Sequence, residues 1–161
     1  MIADNGLVAF MARRQADTES LLDIVSVKWV GGGRPNACFQ NAQALASSKD
    51  VKVVSGWLAL PFDPEHNARH FVQHWWNYMP ALKQFVDITP EIEDGSIYIP
   101  DLSIARLCVL KNHEFQTQCI STTIVYGNGV FYAVDHSKGQ DENSRVLTSL
   151  KDDELFPQCF A

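Results

Sequence analysis

Three side chains in the first part of the chain could do thiol chemistry together. Cys38 stands in Pro35-Asn36-Ala37-Cys38-Phe39-Gln40-Asn41-Ala42, His74 in His70-Phe71-Val72-Gln73-His74-Trp75-Trp76-Asn77, and Asp87 in Phe85-Val86-Asp87-Ile88-Thr89-Pro90. A nucleophile, a base and a group that orients the base are the parts that covalent acyl chemistry requires. A thiol reacts as its thiolate, a form favoured by the field at a helix N-terminus and by a neighbouring imidazolium. In a first helical turn Cys38 would meet the first condition, and the N–H groups of that turn would face an incoming oxyanion.

The elements that must position these groups follow from periodicity. Cys38, Ala42 and Leu45 recur at helical spacing, so a helix of about three turns is predicted to run from Cys38 to Ser47-Ser48, with Asn36 as its cap. Residues 51–60, 69–78 and 84–88 read as strands, with loops over Pro61–Asn67 and Thr89–Gly95. Residues 5–27 read as helical throughout, with two short apolar faces separated by Asp17-Thr18. A short strand is expected at Ile97–Ile99, then an apolar run from Ile104 to Leu110. Cys119–Tyr126 and Val130–Val134 flank Gly127-Asn128-Gly129, a hairpin signal, and the tail from about Lys138 reads as polar and then weakly helical.

On the strand over 69–78, His70, Val72, His74, Trp76 and Tyr78 share one face. A symmetric loop centred on Pro80-Ala81 would put His74 directly opposite Asp87 on the next strand, with their Cβ atoms about 5 Å apart. Taken singly, each residue has a plainer reading: Cys38 as a small core residue, His74 as a satisfied core histidine, Asp87 as a turn residue capping its own loop. His70, on the same face, and His136, after Asp135, are competing bases. His66 and His113 lie in polar, loop-like contexts. Trp57, Trp75, Trp76 and Tyr78 read mainly as sheet packing, with one or two lining a groove for the acyl group.

Composition bounds the alternatives. A chain of 161 residues can bury a sizeable core as a single domain spanning 1–161. Its net charge of −6 argues against a nucleic-acid partner, because phosphate binding needs a basic surface. No stretch approaches the roughly 18 apolar residues of a membrane span. No charged segment precedes the mildly apolar start, so the expected location is cytoplasmic, with export by a dedicated secretion system left open. The four cysteines, Cys38, Cys108, Cys119 and Cys159, show neither CxxC pairing nor metal-ligand spacing, so free thiols and no metal or cofactor are expected. Helices first and then strands on short connections predict an α+β fold, with N-terminal helices packed on an antiparallel sheet.

Asn36-Ala37-Cys38 opening a helix, Gly56-Trp57 on one strand, His74-x-Trp76 on the next and Val86-Asp87-x-Thr89 on the third resemble the core of the transglutaminase-like branch of papain-like cysteine proteases. The resemblance covers residues 34–90 and leaves 1–30 and 96–161 undescribed. It implies a papain-like or transglutaminase-like core with Cys38 as nucleophile, His74 as general base and acid, and Asp87 as orienting carboxylate. Asn36 and Gln40 would be candidates for an oxyanion side chain. The expected function is that of a cysteine-dependent amide hydrolase or acyl transferase working through a thioester: a peptidase, glutamine deamidase or transglutaminase on a protein or peptide substrate. A peptidoglycan amidase would differ in substrate alone. The reading from another class is a non-enzymatic binding or inhibitory module that keeps the fold with an idle thiol.

Overall fold

The computed structural model describes residues 5–48, 50–105, 123–135, 146–154 and 156. Cys108, Cys119, Cys159, His113, His136 and most of the apolar run from Ile104 to Leu110 lie outside these residues. The fold is α+β. Among the described residues, helices α1 (Asn5–Thr18) and α2 (Cys38–Ser48) accompany one mixed, mostly antiparallel sheet. Its strands are β1 (Val27–Trp29), β2 (Lys52–Ala59), β3 (Ala68–Met79), β4 (Gln84–Asp87), β5 (Ile97–Pro100), β6 (Thr123–Gly127), β7 (Val130–Asp135) and β8 (Val146–Leu150).

The twelve-residue β3 organises the sheet. Along one edge it pairs with β2, from Phe71 to Tyr78. Along the other it pairs with β6 over Ala68–Val72 and with β4 over Asn77–Met79, so His74 lies on the stretch between those two ladders. Alternation splits the side chains into two layers. Trp57, Phe71, Trp75, Ile99 and Ile124 face Phe10 of α1 and Ala42 of α2, with the Phe10 and Phe71 rings stacked at 4.0 Å. Val54, Leu58, Trp76 and Tyr98 form the core of the opposite face, joined by Val25, Val27, Tyr78 and Phe85.

The expected helix over 5–27 stops at Thr18. Glu19 takes a left-handed conformation (φ 54°), an ordinary way for a helix to end. Thr18 Oγ1 donates back to the Arg14 carbonyl at 2.9 Å. Beyond it, Leu22 joins the helix-side core while Val25 joins the other layer and Leu21 is 95% exposed, so these residues share no helical face. The chain runs on into β1, which pairs in parallel with β4, and the sheet is therefore not purely antiparallel. The hairpin at Gly127 forms, with Gly127 paired to Val130 and both Asn128 and Gly129 at positive φ, as a two-residue primed turn requires. Much of the tail expected to turn weakly helical (138–145, 155 and 157–161) lies outside the described residues; its described part contributes β8, paired with β7. Its polar residues suit an outer strand, where Leu147, Thr148 and Ser149 are exposed.

One buried ion pair ties α1 to the sheet. Arg14 bonds Asp101, whose carboxylate also accepts from Trp57 Nε1 at 3.0 Å and from Ser103. Burial would raise the Asp101 pKa, but Arg14, Ser103 and Trp57 hold it below the usual carboxylate range.

Candidate active site

Cys38 is the first residue of α2. The Asn41 N–H donates to the Ala37 carbonyl at 2.8 Å, so Ala37 occupies the cap position expected for Asn36. Asn36 instead makes the left-handed turn before it (φ 52°), a conformation asparagine tolerates better than most residues. The Cys38 N–H lies ahead of the first intrahelical bond.

A second device sets the entry to this helix. The buried Asn41 side chain grips the Arg34 backbone twice, accepting from its N–H and donating to its carbonyl, both at 2.9 Å. Gly33 passes so close that an added Cβ would sit 2.7 Å from the Asn41 amide. The same loop is tied to the segment carrying Asp87. Val30 N–H donates to the Asp87 carbonyl at 2.8 Å, Gly33 N–H to the Ile88 carbonyl at 2.8 Å, and Trp29 Nε1 to the Thr89 carbonyl at 2.6 Å. The parallel β1–β4 ladder thus docks the approach to Cys38 against the strand that ends at Asp87.

The hairpin carrying His74 and Asp87 is two residues out of the expected register. Asn77 pairs with Val86, Tyr78 with Phe85 and Met79 with Gln84, leaving Pro80 to Lys83 as a four-residue loop. Pro80 sits in a turn closed by the Leu82 N–H on the Met79 carbonyl, and Lys83 takes φ 50° to realign the strand. Proline suits this wider loop and not the primed two-residue turn, which needs positive φ at both central residues. A slip of two keeps every side chain on its face. Asp87 therefore sits diagonal to His74, not opposite it, and the side chains still meet: His74 Nε2 lies 2.7 Å from Asp87 Oδ2.

The three residues singled out by type are brought together. Cys38 lies near enough to the His74 ring to favour its protonated form. With Nε2 on Asp87, Nδ1 is the ring nitrogen left for a further partner. His74 is 6% and Asp87 1% exposed, while Cys38 is half-buried. Burial alone would pull the His74 pKa below its ordinary 6.5, but the bond to Asp87 and the nearby Cys38 more than offset it and push it up to about 9. Burial would likewise raise Asp87. The His74 contact, the Thr89 N–H on Oδ1 at 2.9 Å and the Tyr98 hydroxyl on Oδ2 at 2.8 Å hold it below the usual range instead.

Nothing in the sequence pattern singled out Tyr98 for this site. Its one signal was position, a hydroxyl-bearing residue between Ile97 and Ile99 and therefore on the opposite face from both. The competing base His70 borders a cavity of about 490 Å³ with Asp63, His66 and Tyr132, four residues along β3 from His74. His66 is exposed and paired with Asp63 at 2.7 Å. Of the tryptophans, Trp57 and Trp75 are helix-side core, Trp75 packing edge-on against Phe39. Trp76 is the one beside the site, its ring 6.0 Å from His74 and 5.2 Å from Tyr98.

Among the described residues no group of three His, Cys, Asp or Glu side chains could hold a metal ion, and no helix is long and apolar enough to cross a membrane. Comparison with protein-family models, curated proteins and solved structures returned no match.

Proposed function

We propose that this chain is a cysteine-dependent amide hydrolase or acyl transferase acting on a protein or peptide substrate, built on a transglutaminase-like or papain-like core. The observation that carries the reading is the convergence on one imidazole of Asp87, hydrogen-bonded to His74 at 2.7 Å, and the half-buried Cys38, whose proximity favours the protonated ring.

In the proposed reaction the Cys38 sulfur attacks the carbonyl carbon of a carboxamide or peptide. Negative charge gathers on the carbonyl oxygen, where the Cys38 N–H at the head of α2 is a donor without an intrahelical role. The tetrahedral intermediate collapses by breaking the C–N bond, and His74 gives its proton to the departing nitrogen. A thioester remains on Cys38. Water activated by the now neutral His74 releases an acid; an amine in its place gives a cross-linked or transferred product. Asp87 keeps the ring oriented and stabilises the imidazolium. At neutral pH His74 holds the proton it must deliver, since it titrates near 9.

Two measurements test this. Alkylation of Cys38 by iodoacetamide at pH 6–7 should be fast in the wild type and slow in His74→Ala. Cell lysate treated with wild-type protein should release ammonia or show mass-shifted peptides that Cys38→Ala does not produce. Equal alkylation rates in the two proteins, together with no Cys38-dependent product, would refute the proposal.

A further inference from the structure

Asp87 receives more donors than its work on His74 requires. Its Oδ1 accepts the Thr89 N–H, which fixes the carboxylate plane, and its Oδ2 accepts both His74 Nε2 and the Tyr98 hydroxyl. The first two contacts already define the orientation of the group. Tyr98 comes from β5, a strand that pairs with β2 and not with β3 or β4, and it is 6% exposed. Its ring is wedged edge-on against Trp76 at 5.2 Å and faces His74 at 6.0 Å, so its hydroxyl is held on that oxygen by packing.

We infer that Tyr98 is a positioning residue that shares Asp87 Oδ2 with His74 and thereby sets how firmly the carboxylate holds the imidazole proton. This rests on the catalytic reading of Cys38, His74 and Asp87. A carboxylate oxygen that accepts one hydrogen bond is more basic than one that accepts two, because each donor stabilises the ionised form. Without the hydroxyl, Asp87 would pull harder on the His74 N–H. An imidazolium held too tightly is a poorer acid toward a leaving nitrogen, because proton delivery is most efficient when the donor titrates near the working pH. The titratable groups acting on this pair among the described residues are Cys38 from α2, reaching His74, and Tyr98 from β5, reaching Asp87.

The test follows the His74 ring resonances by NMR across pH 6–10 in wild type and Tyr98→Phe. Phenylalanine keeps the packing against Trp76 and removes one donor. The His74 midpoint should move up by about half a unit, and its Nε2 proton should move downfield. Uniform 3-fluorotyrosine substitution in the otherwise wild-type chain makes the phenol a stronger donor, and should move the same midpoint down. It also covers the case in which Tyr98→Phe does not fold. A merely structural tyrosine would leave the midpoint in place or let it fall in Tyr98→Phe, and either result overturns the inference. Iodoacetamide labelling of wild type against His74→Ala, run alongside, separates the two levels. Labelling that ignores His74 removes the catalytic reading itself, whereas His74-dependent labelling with an unmoved midpoint removes the role of Tyr98 alone.

Discussion

Replacing His74 with glutamine should flatten the pH dependence of stability in a window set by the imidazole. His74 titrates at about 9 in the folded chain against an ordinary value of 6.5. At about 1.4 kcal/mol per unit, that difference corresponds to roughly 3 kcal/mol of folding free energy linked to one proton. The group binds its proton more tightly when folded. Its contribution is therefore fully present below about pH 6.5 and is lost as pH rises through about 9. Burial makes the effect large, since at 6% exposure little solvent screens the ring from Asp87. Glutamine is near enough in size to sit in the same space, and its amide can still donate to Asp87 without titrating. Urea unfolding of wild type and His74→Gln, measured every half unit from pH 6 to 9.5, reads the difference while cancelling groups common to both. Wild type should lose about 3 kcal/mol more than the variant across that interval. Parallel curves would show that His74 does not carry the proton that the geometry gives it.

Asp87→Asn should keep the fold but lower the His74 midpoint, and Cys38 alkylation at pH 7 should slow by about tenfold or more, read by mass spectrometry. Gly33→Ala puts a methyl group 2.7 Å from the Asn41 amide that grips Arg34, and should cost about 1–3 kcal/mol in thermal or urea unfolding while slowing Cys38 alkylation. Gly56→Ala is harsher, because its Cβ would meet the Ile99 carbonyl oxygen at 2.3 Å and the Trp76 ring at 2.4 Å; failure to accumulate soluble protein is expected, and a wild-type melting temperature would contradict the packing described. Arg14→Met strands the buried Asp101 carboxylate and should destabilise by about 3–5 kcal/mol, partly recovered in Arg14→Met/Asp101→Asn.

Local pattern was a good guide wherever one element answered to one periodicity. The helix opening at Cys38, the strands at 52–59, 68–79, 84–87 and 97–100, and the turn at Asn128-Gly129 were all legible, because apolar spacing and turn chemistry act within a few residues. The same spacing misled over 5–27, where Leu22 and Val25 looked like one helical face but serve opposite layers of the sheet. β1 and β8 are short or polar and owe their conformation to the strands beside them.

For the candidate site, residue type and face parity were enough to nominate Cys38, His74 and Asp87, since thiol chemistry needs those groups and a strand alternates its sides regardless of partner. Whether they met was a tertiary question. It was decided by a four-residue loop that shifts the β3–β4 register by two, by a parallel β1–β4 ladder that docks the Cys38 approach beside Asp87, and by Tyr98 arriving from a strand bonded to neither β3 nor β4. Such pairings join residues far apart in the chain, and their free energy lies in contacts that exist only once the sheet has formed, so no window of sequence contains them.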